Sequence, residues 1–161
     1  MIKTITVIAL LLPLSAVAST DKWKSSSYKS IESASIRPSS GKLTSFGLSC
    51  SQYTKGNIVL ELQPKLAPTT PRKGQEETTK VIVEIDGKSF YYNMVNHASF
   101  PELLKTKHSI SKNVINQLQK GNEVSVLWER WNGRLEVEFI SLKNSSSAIA
   151  SLIKNCTKLK G

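Results

Sequence analysis

Apolar and polar positions alternate along much of this chain, and the alternation predicts strands. In FGLSCSQ, Phe46, Leu48 and Cys50 share parity and therefore one face of a strand. Ile58, Leu60 and Leu62 repeat the pattern with Glu61 opposite, after a turn at Lys55-Gly56-Asn57. Val81, Val83 and Ile85 run into Asp86-Gly87, two residues able to take φ > 0, which predicts a hairpin. A last hairpin is predicted across Asn132-Gly133 as a type I′ turn. In it Val124, Val126 and Trp128 face Leu135, Val137 and Phe139, while Glu136 and Glu138 point to water.

Two segments have helical spacing. Ile110, Val114, Ile115 and Leu118 form one stripe, with Ser109 or Ser111 as cap and Gly121 as stop. Ile149, Leu152, Ile153 and Cys156 stand at i, i+3, i+4 and i+7 of a final helix starting near Asn144 or Ser145. Residues 64–79, PKLAPTTPRKGQEETT, are expected to be an exposed loop because their three prolines cannot sit inside a ladder. The serine-rich arm SSSYKSIESASIRPSSGK has Trp23, Tyr28, Ile31 and Ile36 with which to dock, so at least one edge strand is expected there.

The two cysteines, Cys50 and Cys156, are expected to form a disulfide. Both fall on inward faces, so the bond would pin the terminal helix to an early strand. The start of the chain fits an exported protein. Lys3 precedes an apolar run from Ile5 to Leu14, and Ala16-Val17-Ala18 is a small-x-small cleavage site. That run is about ten residues, against the roughly 20 needed to cross a bilayer. Residues 1–18 are therefore expected to be a cleaved signal peptide and residues 19–161 a single periplasmic or secreted domain. The sequons at Asn144 and Asn155 would matter only in a eukaryotic secretory pathway, and the A-x-A signal fits bacterial export.

Charge and chemistry narrow the function. The chain has 22 basic and 12 acidic residues, a net charge of +10, spread without a block of like charge. Such a surface keeps a protein dispersed or attracts an anionic partner. Nucleic acid is disfavoured because aromatics do not interleave with the basic residues. The sequence contains no G-x-S-x-G elbow, H-E-x-x-H helix or phosphate-binding glycine loop. His97 and His108 are expected in a loop without a chemical role, and no ligand spacing suggests a metal. The pair Glu76-Glu77 falls in the expected loop, and Glu136 and Glu138 on an expected solvent face. Neither pair has the buried, divergent surroundings that acid–base work requires. Trp131, beside Arg130 and Arg134, is the candidate partner contact: an exposed aromatic framed by arginines has hot-spot composition, with cross-strand packing as the alternative.

The order of DKWKSSSYKSIESASI, FGLSCSQYTKGNIVLELQ, KVIVEIDGKSFYY, the first helix and LEVEFISLKNSSSAIASLIKNC resembles the small periplasmic proteins associated with bacterial type VI secretion. The matching positions are Trp23, Cys50, Asp86, Phe139, Ala148, Leu152 and Cys156. The tail is also similar to that of the invasion-associated locus B proteins. The chain departs from the first family in the proline-rich insertion at 64–79 and in IESAS, which stands where paired acids would be. Both resemblances imply an exported accessory or host-interaction factor, and neither transfers a catalytic residue.

The expected fold is α+β: an antiparallel curved sheet or sandwich, a short helix, and a disulfide-pinned C-terminal helix. The expected function is that of a periplasmic, non-enzymatic binding or accessory protein without cofactors. It would act through contacts with another envelope protein or an exported effector. The alternatives are an immunity factor against a periplasmic toxin or hydrolase, and a basic protein that binds anionic glycan or lipid.

Overall fold

The computed structural model describes residues 21–39 and 41–160; the expected signal peptide lies outside the described residues. The strands are β1 (Lys24–Tyr28), β2 (Ile31–Ile36), β3 (Leu43–Ser51), β4 (Val59–Pro64), β5 (Glu76–Ile85), β6 (Lys88–His97), β7 (Phe100–Thr106), β8 (Glu123–Glu129) and β9 (Leu135–Ser141). Helix α1 spans Lys112–Lys120 and α2 spans Ser145–Lys158. The nine strands form one open antiparallel sheet in the order β1-β2-β3-β4-β7-β6-β5-β8-β9. The α+β class and the disulfide-pinned last helix are as expected, and of the two sheet forms the curved one is adopted.

The curvature follows from two contacts. Eight inter-strand steps of about 4.8 Å would separate the edges of a flat sheet by about 38 Å. Yet the Trp23 indole Nε1–H, just before β1, donates to Ser141 O at the end of β9 (3.1 Å). The Lys42 backbone N–H, at the entry to β3, likewise donates to the Glu138 carboxylate on β9. The sheet therefore curls until its two ends meet through side chains, without a shared ladder. Its concave face holds the core: Phe46, Leu48, Leu60 and Leu62 on one half, and Val81, Val83, Val126 and Trp128 on the other. Trp23 packs edge-to-face on Phe46, with ring centroids 6.1 Å apart.

The helices close the core. Ser111 caps α1 by accepting from Val114 N–H (3.3 Å), and the chain leaves the helix at Gly121, whose N–H donates to Gln117 O (2.7 Å). Val114, Ile115 and Leu118 turn inward as the spacing predicts. Helix α2 lies against β1–β3 and α1, burying Ala148, Ile149, Leu152 and Cys156. Asn144 precedes it in the left-handed region (φ 67°) and makes no side-chain cap. The buried Ser145 hydroxyl instead donates to Leu118 O (2.6 Å), joining the helices. Cys50 and Cys156 are bonded, with Cα atoms 5.9 Å apart.

Asp86 (φ 46°) and Gly87 (φ 80°) make the expected two-residue turn between Ile85 and Lys88. Asp86 also accepts backbone N–H from Asn122 and Glu123 (3.1–3.2 Å), tying that turn to the end of α1.

Three expectations are corrected. The loop is shorter than 64–79, because Glu76–Thr79 already belong to β5, and it is not simply exposed: Pro64, Pro68 and Pro71 are buried. The buried Asn96 side chain bonds Thr69 and Pro101 O, fastening the loop to the sheet. Strand β7 occupies the segment expected to be a loop around the histidines, and His97 is the last residue of β6. Pro101 is accommodated there because the β6–β7 register is broken between Val95 and His97.

The third correction concerns β9. Its alternation is real, but its face is inverted. Trp128 pairs with Glu136, Val126 with Glu138 and Val124 with Ile140. Glu136 and Ile140 are therefore buried, while Leu135, Val137 and Phe139 face outward. The turn is the cause. Arg130 N–H donates to Arg134 O (2.9 Å) and Gly133 N–H to Arg130 O (2.8 Å), enclosing a three-residue loop, Trp131-Asn132-Gly133. Only Gly133 in that loop is left-handed (φ 76°), as in a type I turn followed by a glycine bulge. One residue of register reverses every side chain.

Candidate interaction site

The β8–β9 inversion creates two features. The first is a seam pocket of about 280 Å³ where the ends of the curled sheet meet. Pro64 ends β4 and Leu66 follows it, Trp128 lies near the end of β8 and Arg130 just beyond it, Glu136 comes from β9, and Lys42 from the entry to β3. Glu136 is nearly buried, and Lys42 Nζ lies 2.6 Å from its Oε2. The guanidinium groups of Arg130 and Arg134 approach its Oε1 at 3.8 and 3.6 Å. The hydrogen bond from Lys42 holds the Glu136 carboxyl below the ordinary value of 4.5; partial burial opposes this, and the charges of Lys42, Arg134 and Arg130 reinforce it.

Because folding lowers this pKa, the stability that Glu136 contributes is complete above about pH 4.5 and disappears as pH falls through the depressed value. Glu136→Gln is therefore expected to lower Tm at pH 7, with the gap to wild type closing below about pH 4.5. Thermal melts at stepped pH check this; a gap that stays constant with pH would show that the carboxylate charge contributes nothing.

The second feature is the convex face of the sheet around β9. Register places Val137, Leu127, Ile82 and Tyr91 directly opposite one another across β9, β8, β5 and β6. This apolar row crosses four strands. Tyr91 is 76% exposed, Leu127 and Ile82 are half-buried, and Phe139 and Leu135, on the same face of β9, are 64% and 68% exposed.

The candidate contact, Trp131 with Arg130 and Arg134, lies at the β8–β9 hairpin. Trp131 projects, 72% exposed, while its backbone N–H donates to Pro68 O (2.7 Å). Arg130 and Arg134, its neighbours, lie 3.8 and 3.6 Å from Glu136 Oε1. Of the other candidates, Glu76 pairs with Lys107 (2.6 Å) and His97 (3.4 Å) at the start of β5. The hydrogen bond from Lys107 lowers its pKa. The sequence does not single out Lys42 or the convex row, and it places Glu136 and Glu138 on a solvent face. The signal for them is Trp-Asn-Gly read as a three-residue loop instead of Asn-Gly read as a two-residue one.

No family model, curated protein or solved structure matches this chain. Among the described residues, no helix is long and apolar enough to cross a membrane.

Proposed function

We propose that this chain is an exported, non-enzymatic binding protein of the bacterial envelope, secretion- or virulence-associated, that holds a protein partner against its convex sheet face. The observation that carries this reading is the apolar row from Tyr91 to Val137 with Phe139 and Leu135 beside it. Contiguous exposed apolar surface rimmed by polar residues marks interaction sites, and aromatic side chains anchor them. Register dictates that these side chains face outward together, so they are not scattered singly over the surface. The net charge of +10 favours an acidic partner, whose encounter it would accelerate. The disulfide fits an oxidising compartment.

A photo-cross-linking amino acid placed at position 91 or 139 in intact cells, and at the exposed Tyr53 as control, tests the proposal. One protein is expected to be captured from positions 91 and 139 and not from 53, to survive physiological salt, and to be lost in Tyr91→Ser/Phe139→Ser. That variant should keep its Tm within a few degrees, because both rings are exposed. Capture that is equal at all three positions, or material that washes off with salt as anionic glycan or lipid does, would overturn the reading.

A further inference from the structure

We propose that the seam pocket binds a small monoanion with an apolar body, a carboxylate on a compact aromatic or branched aliphatic group, through the Arg130 guanidinium. This site is separate from the convex face, and the proposal does not depend on the partner-binding reading.

Donors in the pocket exceed acceptors. Lys42, Lys65 and Arg130 line it against one lining carboxylate, Glu136, whose Oε2 already faces Lys42 Nζ at 2.6 Å. Arg130 comes no closer to that carboxylate than 3.8 Å, beyond hydrogen-bond range. Its Nε is buried without an acceptor, and so is Nε1 of Trp128, a residue only 2% exposed, while the Glu136 Oε2 that faces Lys42 is also buried short of a well-aligned hydrogen bond. Buried donors without partners are rare in folded proteins and costly, and Arg130 and Trp128 both line the pocket. A guanidinium with unused N–H groups is matched by the two parallel oxygens of a carboxylate.

The walls define the rest of the ligand. Pro64, Leu66 and the Trp128 ring offer apolar contact, and about 280 Å³ lies at the small end of ligand pockets. One ring or one branched chain fits that volume. The frame is fixed, since the hairpin tip is bonded to Pro68 through Trp131 N–H and the loop behind it is fastened by Asn96. The ligand acid could be a free metabolite or the last residue of a peptide, and both present the same carboxylate.

The test titrates the ¹⁵N-labelled protein with phenylacetate, phenylacetamide, inorganic phosphate and N-acetyl-phenylalanine, following the indole N–H signals. Phenylacetate is expected to move the Trp128 indole signal saturably, with Kd of about 1 mM or tighter for a ligand of its size. It should leave the signal of Trp23, already bonded to Ser141 O, in place. Phenylacetamide and phosphate should bind at least about tenfold more weakly, and Arg130→Lys, which keeps the charge and loses the fork, should weaken phenylacetate several-fold. Tighter binding of N-acetyl-phenylalanine than of phenylacetate would assign the site to a chain terminus, and the reverse order to a free acid. Equal binding of acid and amide, equal binding of phosphate, or no saturable shift at 10 mM would each overturn the proposal, and all three are read on the wild-type protein.

Discussion

Cys50→Ala/Cys156→Ala is expected to cost about 4–5 kcal/mol of folding stability, because the bond closes a loop of about 107 residues and removes that freedom from the unfolded chain. The bonded positions are 106 residues apart in sequence, and the loop encloses every strand after β3. Domains are stable by about 5–15 kcal/mol, so the double variant should stand close to its unfolding midpoint in modest urea. Helix α2 would not simply detach. Its buried Ile149 and Leu152, the Ser145 bond to Leu118 O, and the Asn155 side chain donating to Glu32 (3.0 Å) all remain. The loss should therefore appear as a lower urea midpoint with a larger m-value, since the unlinked chain exposes more surface on unfolding. Helix content in water should be close to wild type. A loss under about 1 kcal/mol would mean that α2 is held by packing alone and that the bond constrains little.

The sequence made some parts of this structure legible because local chemistry and tertiary demand agree there. Asp86-Gly87 turns in two residues because both can be left-handed. Ser111 and Gly121 bound α1 because each satisfies a helix end. Phe46, Leu48 and Cys50 face inward because alternation on a strand covered by a helix has one solution. Legibility failed where a single residue carried the decision. Asn-Gly is the common two-residue turn, yet Trp131-Asn132-Gly133 builds a three-residue loop, so Trp128 meets Glu136 and not Val137. Alternation alone cannot reveal that inversion, because both faces of β9 are internally consistent. β7 was hidden for a different reason: its proline and broken register remove the period on which strand recognition relies. The prolines of the 64–79 segment read as exposed because composition does not say what a loop packs against.

The inversion also ties the fold to the candidate surfaces. An acidic residue pointing inward on an edge strand would be costly unless paired, and here closure of the sheet brings Lys42 across the seam to Glu136 and to the Glu138 side chain. The apolar residues of the same strand are thereby committed to the outside. One register choice thus produces both the charged pocket and the apolar face. A change that lengthened or shortened the Trp131-Asn132-Gly133 loop should disturb both at once, whereas a change on either surface should leave the other intact.

Phe46→Ala is expected to destabilise the domain by about 3–5 kcal/mol, in the range for removing a fully buried aromatic ring. Phe46 is completely inaccessible, pairs across the sheet with Ile36 and Leu62, and meets the edge of Trp23. Trp23 is also the residue whose indole reaches Ser141 at the far edge of the sheet. The ring thus supports the closure of the curl as well as filling the core. Loss of the ring should accordingly weaken the Trp23–Ser141 contact, seen as faster exchange of the Trp23 indole N–H than of amides in the centre of β5. Phe46→Leu keeps most of the apolar volume and should cost less than half as much. If Phe46→Ala lowered stability by the expected amount and left Trp23 protected, closure would rest on the Lys42 contacts with Glu136 and Glu138, and the two ends of the sheet would be joined by charge rather than by packing.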